Sequence, residues 1–160
     1  MASSLTHLND KGDAHMVDVG NKPETLRRAV ASATLNASPE TVTAIFGGGL
    51  KKGDALATAR IAGIMAAKKT QDLIPLCHQI ALTSVTIDIA TEGPTHILVT
   101  AAVQTTDRTG VEMEAMVAAS TAALTLYDMA KGIDRGMHIS AVQLEEKTGG
   151  KSGTYRRESK

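Results

Sequence analysis

The chain has 160 residues, with 17 basic groups balancing 17 acidic ones. A formally neutral chain lacks the overall field of a nucleic-acid or anionic-membrane binder. The single cysteine, Cys77, excludes an intrachain disulfide framework and fits a reducing compartment. The first twelve residues are polar, and no apolar run reaches the roughly 20 residues of a membrane span. A cytoplasmic, single-domain protein with no membrane or nucleic-acid partner is therefore expected.

Residues 1–13 read as a polar lead, 14–147 as one folded domain and 148–160 as a mobile Gly/Lys-rich tail. His15-Met-Val-Asp-Val19 is a short strand or extended piece. Over residues 26–36, Ala29, Ala31, Ala33 and Leu35 alternate with Arg28, Val30, Ser32 and Thr34, which suggests a strand, with a helix as the alternative. Ser38-Pro39-Glu40 is an N-cap with proline at the first helical position, and Gly47-Gly-Gly49 stops that helix. Asp54 caps a second helix to about Lys69, whose alanines and Gly63 permit close packing. Residues 70–79 form a loop.

Residues 81–91, with Val85, Ile87 and Ile89 inward, and residues 96–106 alternate as strands joined by a Glu92-Gly93-Pro94 turn. Thr109 followed by Glu112 is a capping-box signature opening a helix with no charge from Ala115 to Tyr127. Such a helix is buried on several sides. A last strand over 137–147 carries Ile139, Val142 and Leu144. The order strand, helices, strand, strand, helix, strand is the split β-α-β, ferredoxin-like α+β arrangement: an antiparallel sheet with helices packed on one face.

The charges of the long helix sit at its ends. Dipole complementarity accounts for Glu112, Glu114 and Lys131, but Asp128 has the wrong sign for a C-terminal turn. Asp128 and Lys131 are three apart and can meet; a structural ion pair is the commoner outcome of that spacing, an acid/base pair the rarer. Glu114 and Asp128 lie on one stripe but about 21 Å apart. If both ends are functional, two chains supply opposite ends to one site.

Two Gly/Lys loops are candidates for anion binding. Lys147-Thr-Gly-Gly-Lys151-Ser-Gly fails as a Walker A motif, because Glu145 stands where its first glycine belongs. Gly47-Gly-Gly-Leu-Lys51-Lys52-Gly53-Asp54 fails the dinucleotide fingerprint but enters a helix N-terminus. Leu76-Cys77-His78 sets a thiol beside an imidazole, yet extended neighbours point apart and no zinc spacing is present. His7, His15, His96 and His138 have no spacing that singles them out, and no metal site is expected. The three aromatics, Phe46, Tyr127 and Tyr155, lie on no expected strand, which demotes a base-stacking nucleic-acid reader.

Met16-Val-Asp-Val19, Lys52-Gly-Asp54, Ala57-Thr-Ala-Arg-Ile-Ala-Gly63, Asp72-Leu-Ile-Pro-Leu-Cys-His78, Thr109-Gly-Val-Glu-Met-Glu114, Tyr127-Asp-Met129 with Lys131, and Gly149-Gly-Lys-Ser-Gly153 resemble the molybdenum-cofactor biosynthesis protein C family. Gln79 and Ala130 depart from its usual proline and cysteine. The resemblance implies a homohexamer, a trimer of dimers, with sites at a dimer interface. It implies a lyase that rearranges a cyclic 7,8-dihydro-GTP to cyclic pyranopterin monophosphate and releases pyrophosphate. Asp128 and Lys131 match its acid/base pair, and Lys52 matches a basic position beside the reacting ring. Leu76, Cys77, His78, Met113 and Glu114 match substrate-binding segments, and Lys147 and Lys151 match positions around the triphosphate. No resident cofactor is implied; Mg²⁺ accompanying the triphosphate is compatible. Desolvation near other cations is expected to lower the pKa of Lys131. A non-catalytic nucleotide-binding regulator and a Cys/His metallohydrolase are the competing classes.

Overall fold

A computed structural model describes residues 8–9 and 11–158. Most of the polar lead, including His7, and the last two residues of the tail lie outside them.

The sheet is built on strand β1 (Thr25–Asn36), whose alternate side chains Ala29, Ala31, Ala33 and Leu35 are buried beneath the helices. Strands β2 (Ser84–Glu92) and β3 (His96–Asp107) form a hairpin, and β4 (His138–Thr148) follows the long helix. The order is β2-β3-β1-β4-β5, with every neighbouring pair antiparallel. This is the expected ferredoxin-like sheet, with helices on one side. A further strand, β5 (Tyr155–Arg156), pairs with Glu146 and Lys147 at the edge. Nothing in the Gly/Lys-rich sequence announces it.

Helices α1 (Pro39–Phe46), capped by Ser38, and α2 (Ala55–Ala67), capped by Asp54, start where the cap residues place them. Residues 70–79 are not wholly loop: Thr70–Leu73 make one helical turn, α3, tied by the buried Thr70 hydroxyl to Ala67 O at 3.0 Å. Residues 15–19 form no strand and pair with none among the described residues. Strand β2 begins at Ser84, three residues later than expected.

The long helix α4 (Glu112–Ala130) begins inside the expected capping box. Val111 occupies the N-cap without a side-chain bond, so Thr109 belongs to the preceding turn. Ala115, Ala118, Ala119, Ala122, Ala123 and Leu126 are fully buried, and the small residues let the helix lie close on the sheet. Burying Leu126 alone contributes about 1.5–3 kcal/mol. Helix α2 packs alongside through Ala59, Gly63 and Ala67. A Cβ at Gly63 would sit 3.0 Å from both Ala118 O and Ile87 Cδ1. The helix is buried on several sides, against the sheet and α2, and within it only Leu124 and Asp128 are exposed; on α2, Ile61 and Met65 are exposed as well.

The register of β4 is resolved by two bulges. Val30 faces Glu146 while Ala31 faces Leu144, so Glu145 is an extra residue; Ser140 is the other. This device sets Ile139, Val142 and Leu144 opposite Leu35, Ala33 and Ala31. It also turns the Glu145 carboxylate to the buried Ser32 hydroxyl, which donates to it.

Candidate active site

Antiparallel order brings the start of β1, the end of β3, the end of β4 and the N-terminus of α4 to one end of the sheet. A cleft of about 840 Å³ opens there. Six basic side chains line it: Lys22, Arg27, Arg28, Arg108, Lys147 and Lys151. Among the described residues Glu112 is the one acid on its wall. Arg27 is tethered to backbone acceptors, with Nε and Nη2 donating to Asp107 O and Arg108 O at 3.2 Å each. Arg28 is paired to Glu146 at 2.9 Å, and Lys147 Nζ donates to Ser152 Oγ.

A second cavity of about 370 Å³ shares Lys22, Thr109, Gly110 and Glu112 with the cleft and continues it along α4. Its wall holds Leu76, Cys77, His78, Met113 and Glu114, five of the expected substrate-binding residues. His78 Nε2 lies 2.7 Å from Val17 O, which fixes the imidazole against the 17–22 segment. Glu114 is 4% exposed, and burial followed by the nearby Glu112 charge pushes its carboxyl up to about 7, against a lowering from its own backbone N–H. Burial, and then Glu114, also raises the Cys77 thiol, which argues against a thiolate nucleophile or metal ligand.

The remaining expected residues gather at the other end of α4. Asp128 Oδ1 is 2.7 Å from Lys131 Nζ, and its Oδ2 is 2.8 Å from Lys52 Nζ. Hydrogen bonds from Lys131 and then Lys52 hold the Asp128 carboxyl down at about 2. Reciprocally, Asp128 raises the pKa of Lys131. That corrects the expected lowering: the lysine is half exposed and its nearest charge is an anion. The trio lines neither cavity, and the α4 rise separates it from Glu114 by about 21 Å.

The described residues thus form two chemically distinct clusters: a basic cleft adjoining a pocket that holds the Glu114 carboxyl, and a compact Lys–Asp–Lys group at the far end of α4. Reading the sequence missed Lys22, Arg27, Arg28 and Arg108. The tandem Arg27-Arg28 at a strand start was the available signal, since it puts cations on both faces of a strand end.

The profile of the MoaC family matches residues 16–150. A protein of Thermomicrobium roseum named cyclic pyranopterin monophosphate synthase is 55% identical over 157 residues, covering 98% of this chain and 95% of that protein. One of Listeria monocytogenes with the same name is 54% identical, covering 97% of each. A Mycobacterium tuberculosis protein named cyclic pyranopterin monophosphate synthase 2 is 56% identical, covering 98% of this chain and 93% of that protein. The chain belongs to the MoaC family.

Proposed function

We propose that the chain is a cyclic pyranopterin monophosphate synthase. Its substrate is 3',8-cyclo-7,8-dihydroguanosine 5'-triphosphate, and its products are cyclic pyranopterin monophosphate and pyrophosphate. The observation that carries this reading is the six-cation cleft, on a neutral chain, continuous with the pocket of Glu114. A triphosphate joined to a polar ring matches that shape and charge. Any Mg²⁺ enters as part of the substrate.

Closing the cyclic phosphate requires a substrate hydroxyl oxygen to bond to the α-phosphorus as the phosphorus–oxygen bond to pyrophosphate breaks. The hydroxyl proton goes to a base, and the leaving pyrophosphate is stabilised by the cleft cations, Lys147 and Lys151 among them. Asp128 is ionised in the resting charge state, and its carboxylate raises the pKa of Lys131 and keeps that lysine protonated. The carboxylate is accordingly the proton acceptor of the trio and Lys131 the donor, with Lys52 assisting at the ring. His78, Cys77, Leu76, Met113 and Glu114 line the ring end.

One chain cannot bring its own trio to its own pocket. The reading therefore includes self-association, a homohexamer of three dimers in which the trio of one protomer faces the pocket of its partner. The exposed Ile61, Met65 and Leu124 supply apolar surface for such contacts. A cytoplasmic location follows from a small-molecule biosynthetic role.

The test is incubation with the cyclic dihydro-GTP, with pyrophosphate and the tricyclic product measured together. Equal yields of the two are expected. Tight binding without pyrophosphate release would leave the regulator in its place.

A further inference from the structure

We propose that strand β5 is a clip that positions the 147–152 loop over the basic cleft, with Arg156 and Arg157 as its positioning residues. The inference rests on the reading above, in which Lys147 and Lys151 hold phosphate. Neither arginine belongs to the segments that carry the resemblance, the last of which ends at Gly153.

The loop leaves β4 and returns along its edge. On the return, Arg157 N donates to Glu145 O at 2.8 Å and Arg157 Nε to Leu144 O at 2.9 Å. Arg156 Nε lies 3.2 Å from Glu146 Oε2, while Glu146 Oε1 accepts from Arg28 at 2.9 Å. One carboxylate therefore joins the returning strand to the cleft wall. Glu145 is held in turn by Ser32 and by Gln143 Nε2 at 2.9 Å, and its Oε2 stands 3.7 Å from Arg157.

Between these anchors the loop presses on the cleft floor. Gly149 and Gly150 have φ of +93° and +75°, where a side chain is strained. A Cβ at Gly149 would overlap Leu26 O, and one at Gly150 would overlap the Arg27 guanidinium. The backbone approaches Arg27 this closely because both ends of the loop are fixed. Without the clip, only the β4 end remains. Lys147 and Lys151 would then have to be ordered by the phosphates themselves, at the cost of affinity.

The clip acts on binding and not on chemistry, which separates it from a general structural role. Inorganic triphosphate serves as a probe of the cleft independent of turnover, with its Kd measured by calorimetry. Steady-state KM and kcat for the cyclic dihydro-GTP are measured beside it. In Arg156→Ala/Arg157→Ala, triphosphate Kd and KM should each rise about three- to tenfold, with kcat within about twofold. Arg156→Lys/Arg157→Lys should recover part of the loss. Arg156 is 77% exposed, so Arg156→Ala alone retains the fold and should still raise Kd about twofold. Unchanged Kd in both alanine variants overturns the clip, as does a fall in kcat with KM unmoved. A wild-type protein that binds triphosphate but releases no pyrophosphate overturns the synthase reading, and the clip is then judged on the triphosphate Kd.

Discussion

Lys52 spans 76 residues of chain to place its Nζ 2.8 Å from both the backbone oxygen and Oδ2 of Asp128. It thereby caps an exposed carbonyl in the last turn of α4 and neutralises half of the carboxylate. Lys131 takes the other oxygen at 2.7 Å. A solvent-facing ion pair of this kind adds little to stability, so its chemistry is better tested by rate than by melting.

Lys131→Ala should lower kcat by about 10²- to 10⁴-fold, the usual range for a lost acid/base group, with the melting temperature nearly unchanged. Asp128→Asn should do the same and should also return Lys131 to a lower pKa by removing the anion that raises it. Pyrophosphate release measures the first effect, and NMR titration of the lysine the second. Full turnover in Lys131→Ala would remove the assigned mechanism while leaving family membership intact.

Glu114 gives a pH signature of opposite sign to that of a paired carboxylate. Its folded pKa of about 7 lies above its ordinary 4.5, so the folded chain holds a proton that the unfolded chain releases. Stability is full below about pH 4.5 and falls as pH rises through 7, by about 2 kcal/mol after allowance for partial solvation. Glu114→Gln should flatten that slope and melt higher than the wild type at pH 8. Asp128, held at about 2, runs the other way: its contribution is present above pH 3.8 and is lost only as pH falls toward 2. Thermal melts from pH 2 to 9 check both signs.

The sheet order was legible because β3 alternates and because Ser38 and Asp54 are unambiguous caps, whereas β1, with Val30 on its polar side and Ser32 buried, was its least certain strand. The start of α4 was not, since Thr109 and Glu112 fit a capping box that the chain does not use. Glu112 sits instead beside Gly110, where an added Cβ would overlap its carboxylate. Of the candidate site, Asp128, Lys131, Glu114 and the Leu76-Cys77-His78 segment were singled out by spacing and resemblance, and the structure places them at the two ends of α4. The link from Lys52 to Asp128 spans the fold and leaves no local pattern. The arginines of the cleft converge only when three strand ends meet, which no single stretch of sequence displays.

Gly63 makes the packing of α2 on α4 directly testable. Gly63→Ala places a methyl 3.0 Å from the Ala118 carbonyl, a backbone atom that cannot step aside, and from Ile87. Overpacking of this kind costs about 1–3 kcal/mol, more than helix propensity returns. Urea unfolding should show the loss in Gly63→Ala and a larger one in Gly63→Val. A stabilised Gly63→Ala would mean that the two helices separate more readily than the buried alanines suggest.

Sharing of the site between protomers can be decided by complementation. Asp128→Asn should be inactive, and Glu114→Gln is expected to be strongly impaired because it alters the pocket carboxyl. If one protomer's Asp128 faces its partner's Glu114 across a two-fold axis, a mixed dimer contains one site with both residues intact and one with both replaced. Random exchange of equal amounts makes half the dimers mixed, so about one quarter of wild-type activity should return. Sites built within one chain would return none, because every chain in the mixture carries one lesion. Recovered pyrophosphate release after denaturation and joint refolding, set against each variant refolded alone, is the measurement. Failure to recover activity, with wild type refolding fully under the same conditions, would confine both ends of α4 to their own chain and sever the trio from the cleft.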